Sequence, residues 1–582
     1  LNAVELEIDS ASIRAIGGSE FTSPDIELDG DSERLIFTFL EDLAPGDYEL
    51  TILFRGTLND QLRGFYRSIY QDDAGNDAVI ATTQFEATDA RRAFPCWDEP
   101  DLKAAFGVTL IVPDGYAAIS NGPEIGRTEA EPGKVVVTFG DTMVMSTYLV
   151  AFIVGELEAT DVVDAFGVPL RILTQPGKTH LGDFALEAGA HALGYFADYY
   201  GIPYPGDKVD MIAIPDFAWG AMENLGAITY RESDLLVDPA RATRTELERV
   251  AGVIAHELAH MWFGDLVTMK WWNGIWLNEA FATFMELKCT EAFRPDWKVF
   301  LAAAADRAAA MEIDALATTR PVEFPVASPE EANAMFDTLT YEKGSSVLRM
   351  LEQYVGEETF RRGIGLYLAA HAYGNTVTDD LWNALEQASG EPVGEIMQGW
   401  IYQGGFPQVR VESSGTQWSL RQEQFRYLGE GTGTWTVPVL YGGATGRSGV
   451  IVDEAVTIEP GDDAVVNAGG SGFYRVRYAP DLLESVSGRL GELEPEERYS
   501  VVSDTWPMCC PVRFRRRNSS NSSAVCLRRP SLRSGEWPSP AWRNSTGCRR
   551  RMCSPRCKRS CAGWLHLEPI GSAGLRILER TT

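Results

Sequence analysis

Between residues 48 and 55, apolar Tyr48, Leu50, Ile52 and Phe54 alternate with polar Glu49, Thr51 and Arg55. This two-residue period marks a strand with one face buried, and such patterning makes residues 1–157 strand-rich. From 158 to 402 helical periods dominate. Leu247, Val250, Val253 and Ile254 recur on one helix face, Thr245-Glu246-Leu247-Glu248 reads as a capping box opening that helix, and Gly264 reads as its stop. The Gly404-Gly405-Phe406-Pro407 turn opens a third region, 403–477, whose short strands, such as Trp435-Thr436-Val437-Pro438-Val439, predict a small β-sandwich. Helical patterning resumes over 478–506. The expected fold class is therefore multidomain α+β. There are no repeats, the longest apolar runs are too short to span a bilayer, and no secretory signal is visible.

Composition sharpens this outline. The 582 residues suffice for three or four domains. A formal net charge of −32 argues against nucleic acid and anionic membranes as partners. Residues 507–582 break the pattern, with sixteen Lys and Arg against three Glu, no Asp, and seven of the nine cysteines. A basic nucleic-acid tail, a zinc knuckle and a disulfide module are the usual readings, and none fits well: the cysteines lack paired C-x-x-C spacing, and such a tail would interrupt the helical pattern just after Arg498-Tyr499-Ser500. A frame shift near the codons for Thr505 to Cys510 accounts for the inversion better. With suitable synonymous codons the stretch from Cys509 to Cys526 re-reads as an acidic amphipathic helix, so 507–582 is expected to be an out-of-frame, disordered tail. Cys96 and Cys289 are then the only cysteines in 506 residues, which favours a reducing, cytoplasmic setting.

The candidate chemistry lies at His256-Glu257-Leu258-Ala259-His260, followed by Asn278-Glu279-Ala280 with eighteen residues between His260 and Glu279. Histidines four apart on a helix share a face, about 6 Å apart along its axis. One Zn²⁺ can take both imidazoles, with Glu257 beside them to activate a water in the fourth position and Glu279 as third ligand from a second helix. A third histidine shortly downstream, the competing pattern, is absent from Met261-Trp262-Phe263-Gly264-Asp265. Only six histidines occur in the chain, so two at ligand spacing carry weight. Zn²⁺, one per chain, is the expected cofactor, and Glu257 the general base that later protonates the leaving amine.

Four further segments extend the pattern. Gly220-Ala221-Met222-Glu223-Asn224 precedes the zinc helix, and Gln84-Phe85-Glu86 is followed by Asp89-Ala90-Arg91-Arg92-Ala93-Phe94-Pro95-Cys96. Tyr341-Glu342-Lys343-Gly344 and Asn467-Ala468-Gly469-Gly470, leading to Phe473-Tyr474-Arg475, complete the set. In these motifs and their order, residues 1 to about 506 resemble the aminopeptidase N-like zinc enzymes. The resemblance implies an N-terminal saddle-shaped β domain (1–157), a thermolysin-like catalytic domain (158–402), a β-sandwich (403–477) and the start of a helical domain (478–506). It implies that Tyr341 steadies the oxyanion, and that Glu223 and Glu86 anchor the α-ammonium of peptides with a free N-terminus. Backbone at Gly220, Ala221 and Met222 would align the substrate as an extended strand. Trp219 is a candidate for the first side-chain pocket, against plain core packing. Relative to that family the chain opens inside the first β domain. Two alternatives accompany the aminopeptidase reading: an epoxide-hydrolysing branch, which usually has glycine where Ala221 stands, and a non-catalytic or unstable gene fragment.

Overall fold

In a computed structural model of the chain, the described residues are 1–509 and 576–580, apart from Asp73, Ala444 and Thr445. The fold is multidomain α+β, β-rich at its N-terminal end and mixed where the zinc motif lies. The strand expected near 48–55 is Tyr48–Gly56, antiparallel to Leu6–Ala15. Ala105–Pro113 shows the period most clearly: Phe106, Val108, Leu110 and Val112 are buried and their neighbours more open. It pairs with Lys134–Phe139, and that strand with Glu124–Glu131. A second sheet runs in the order Gly64–Gln71, Asp77–Gln84, Phe152–Gly155, Ala117–Ser120. Its strand Asp77–Gln84 delivers Glu86 just beyond its end.

The next sheet is mostly parallel. Val168–Thr174, Val209–Ile214 and Ala227–Arg231 run parallel, and Ala221–Met222 closes the edge antiparallel, with Ala221 opposite Tyr230 and Met222 opposite Thr229. Every residue of Val209–Ile214 is buried, the continuous apolar run expected of a strand covered on both faces. Helix α1 (Asp183–Tyr200) connects Val168–Thr174 to Val209–Ile214, and α2 (Arg244–His260), α3 (Trp276–Phe293) and α4 (Val299–Asp314) follow the sheet. Four more helices between Gly344 and Ile401 complete the helical part. Two small sheets then pack as a sandwich. One is ordered Ala455–Ile458, Gln417–Gln424, Pro407–Ser414, Arg475–Tyr478, and the other Gly446–Val452, Val437–Gly443, Val465–Val466. Helices Pro480–Gly488 and Pro495–Cys509 come last.

Residues 507–582, expected to be an out-of-frame tail, lie largely outside the described residues. Arg576–Arg580 departs from the expectation of a structureless tail, forming a strand antiparallel to Ala105–Pro113. Among the described residues no helix is long and apolar enough to cross a membrane.

Candidate active site

Helix α2 begins two residues before the expected box. Thr243 is the cap, its hydroxyl accepting from the Glu246 N–H while the Glu246 carboxylate accepts from the Thr243 N–H. Both Thr243 and Thr245 stand three residues before a glutamate, and the earlier pair is used. It adds Arg244 to the helix, where its guanidinium bonds Glu248 one turn on at 2.5 Å and the Trp297 carbonyl. The helix ends at His260, not at Gly264. Gly264 instead has φ +132°, open to glycine, and its N–H donates to the Val267 carbonyl. A Cβ there would approach His260 Nδ1 to 3.3 Å. The tight return brings the Phe263 carbonyl to His260 Nδ1 at 2.9 Å, fixing the tautomer that leaves Nε2 as a ligand.

Helix α3 is buried on nearly all sides and places Glu279 in its first turn, where the helix dipole favours a carboxylate. Three donor atoms converge: His256 Nε2 lies 3.1 Å from His260 Nε2, and these lie 3.4 and 3.5 Å from Glu279 Oε2. Zinc held tetrahedrally at about 2.0–2.1 Å spaces its donors about 3.3 Å apart, so these residues fit the ion. Burial works against protons on the imidazoles, yet Glu279, Glu286 and Glu257 raise His256, and Glu223 and Glu279 bring His260 to about 9. Glu279, which burial alone would raise, is held at about 2 by the imidazoles. Glu286 Oε2 sits 3.3 Å from His256 Nδ1. It lies seven residues after Glu279, two turns on and on the same face of α3, and Gly252 makes room for it, since a Cβ there would come within 2.6 Å of Glu286 Oε1. A carboxylate on the far nitrogen of a zinc-ligating histidine orients the ring and strengthens it as a ligand. Glu286→Ala is expected to lower zinc affinity about 10- to 100-fold, measured by competition with a chromogenic chelator. Unchanged affinity would assign Glu286 no such role.

Glu257 is 5 % exposed, and its Oε2 has no hydrogen-bond partner. Burial pushes its carboxyl up to about 8, with Glu223 and Glu279 adding to the effect and the histidines opposing it. Tyr341 lies in a wide π-turn, Leu339–Lys343, its ring stacked 6.1 Å from that of His256. Burial, then Glu279, holds its phenol protonated. The rest of this motif is explained by packing. Lys343 and Asp314, both wholly buried, pair at 2.9 Å, and Lys343 also donates to the Gln403 and Gly405 carbonyls. Gly344 touches α3 beside Glu279, where an added Cβ would meet Ala280 Cβ at 2.5 Å.

A cavity of about 220 Å³ joins these groups. Glu86, Gly220, Ala221 and Glu223 line it with His256, His260, Glu279, Glu257 and Tyr341, while Met222 is buried. The structure thus brings together every candidate site residue named from the sequence except Met222. Burial raises Glu223, and burial with the neighbouring carboxylates raises Glu86 well above its ordinary value. Trp219 is 47 % exposed and lies 6.1 Å from Phe336, both on the cavity wall. Sequence reasoning missed Glu286 and Phe336, and named Gln84 in a motif without giving it a place in the site. The seven-residue interval from Glu279 could have pointed to Glu286, and the alternation Gln84, Glu86 to Gln84; nothing in the pattern marks Phe336.

A strand-rich domain leading into a mixed sheet with two histidines and a distant glutamate on adjacent helices is the build of a metallopeptidase. The Peptidase M1 N-terminal domain matches residues 1–149, and the Peptidase family M1 domain matches residues 184–400. The chain belongs to peptidase family M1. It is 41% identical over 531 residues to Aminopeptidase M1-A of Oryza sativa subsp. japonica, covering 88% of this chain and 60% of that protein. Puromycin-sensitive aminopeptidase of Caenorhabditis elegans is 41% identical over 528 residues (87% and 55%). Alanine/arginine aminopeptidase of Saccharomyces cerevisiae is 40% identical over 518 residues (87% and 60%). The chain thus spans less than two thirds of the length of these relatives.

Proposed function

We propose that this chain is a zinc-dependent aminopeptidase, with one zinc ion per chain, that removes the first residue of peptides carrying a free N-terminus. The observation that carries this reading is one cavity with a zinc donor set on one wall and the buried carboxylates Glu86 and Glu223 beside it. When bound by His256, His260 and Glu279, the ion supplies Lewis acidity, polarising a carbonyl and making water a ready nucleophile near neutral pH. Glu257 takes the proton from the attacking water and delivers it to the amine as the C–N bond breaks. The Tyr341 phenol donates to the oxyanion. Glu86 and Glu223 hold the α-ammonium, so the chain is read from its end. The outer edge of Ala221–Met222 offers unpaired backbone groups to an extended peptide. At Gly220 an added Cβ would meet nothing closer than 3.6 Å, so close approach of substrate, not packing, accounts for the glycine.

The sandwich domain and the aminopeptidase names of the relatives speak against the epoxide-hydrolysing alternative. Low cysteine use in residues 1–506 supports a cytoplasmic setting. Hydrolysis of a panel of aminoacyl-p-nitroanilides, with and without chelator, tests the whole reading; turnover that survives full metal removal would overturn it.

The exposed Trp219 face and Phe336 form an aromatic wall suited to a large apolar first side chain. Trp219→Ala is expected to lower kcat/KM for leucyl and phenylalanyl anilides on the order of tenfold while sparing the alanyl anilide. A uniform loss across the panel would assign Trp219 to packing.

A further inference from the structure

Besides the zinc donors, the described residues hold a second convergent group. Glu86, Glu223 and Glu279 each bring one carboxylate oxygen within 4.8 Å of the others. The two groups share Glu279, whose two oxygens can serve both. Their chemistry differs. The first offers two imidazoles and a carboxylate, and the second offers oxygen alone, the donor type of hard cations such as Mn²⁺, Mg²⁺ and Ca²⁺. Glu223 is 3 % exposed, and its Oε1 is buried with no hydrogen-bond partner. The same holds for Glu86 Oε1 and for Oε1 of neighbouring Gln84. Three buried acceptors on one cavity wall without a donor call for a cationic ligand. Glu257 lines the same cavity, a fourth carboxyl group beside these three.

We propose that Glu86, Glu223 and Glu279 form a binding site for a hard divalent cation, whose occupancy excludes the substrate ammonium and so inhibits competitively while zinc stays in place. The binding claim stands on the donor geometry; its competitive part rests on the ammonium-anchoring reading of Glu86 and Glu223.

The test uses the full zinc-loaded chain titrated with Mn²⁺, with free Mn²⁺ followed by electron paramagnetic resonance and zinc by elemental analysis. One Mn²⁺ per chain is expected to bind with zinc retained. L-leucine amide should displace it and N-acetyl-L-leucine amide should not. Glu86→Gln, which leaves all three side chains of the first group in place, should weaken Mn²⁺ binding about tenfold or more without loss of zinc. Should that variant fail to fold, displacement by leucine amide in the parent chain still decides. Mn²⁺ that binds only by replacing zinc overturns the site, as does bound Mn²⁺ indifferent both to leucine amide and to Glu86→Gln. Leucine amide that binds by calorimetry while Mn²⁺ does not refutes the cation site and leaves the ammonium reading standing. Mn²⁺ lost in Glu86→Gln but unmoved by leucine amide upholds the cation site and removes the ammonium reading.

Discussion

Glu257→Gln is expected to lose activity by about 10²- to 10⁴-fold in kcat while keeping its zinc. The amide matches the carboxylate in shape but cannot carry the proton between water and leaving amine. Glu257 is not among the converging donor atoms, so metal content, read by elemental analysis, should stay at one per chain. Stability should hold or rise, because the substitution replaces a buried carboxylate whose Oε2 has no partner. Thermal melting therefore separates loss of chemistry from loss of fold. A near-normal rate would remove Glu257 from the mechanism.

The second large effect is expected at Glu223. A hydrogen bond between a carboxylate and an ammonium contributes about 1.5–3 kcal/mol, so Glu223→Ala should weaken free-amine substrates and inhibitors by roughly 10- to 150-fold. N-acetylated peptides, which carry no ammonium, should be poor substrates of the parent chain and should lose little further in the variant. Inhibition constants for a free-amine ligand and its acetylated twin, measured in both proteins, give the comparison. Equal cleavage of blocked and free peptides by the parent would make this an endopeptidase.

Much of this site was legible because its groups are tied to local periodicity. His256 and His260 share a helix face whatever the rest of the chain does, and α3 presents Glu279 from its first turn. Glu86 was less accessible to pattern reading. A lone glutamate after a strand is an ordinary surface residue, and only its motif set it apart. Its burial depends on the β-rich and mixed domains closing on one another, which no local period encodes. The helix start at Thr243 was misread because two overlapping boxes satisfy the same rule. The choice rests on Arg244, whose partner Trp297 lies more than fifty residues away. Phe336 stayed hidden for a similar reason: an aromatic residue in a loop becomes a cavity wall only when Trp219 is brought opposite.

The Lys343–Asp314 pair sets a limit on modularity. The loop bearing Tyr341 is tethered through Lys343 to the carbonyls of Gln403 and Gly405, and Asp314 accepts from the Gly405 N–H at 2.8 Å. Those residues belong to the turn that opens the sandwich. A catalytic unit excised at residue 402 would leave a buried ammonium and carboxylate stripped of part of their cage, a loss comparable with breaking a buried ion pair at about 3–5 kcal/mol. Domain shuffling at that seam would disturb Tyr341 as well as stability. A cut that keeps this cage whole must fall beyond Gly405.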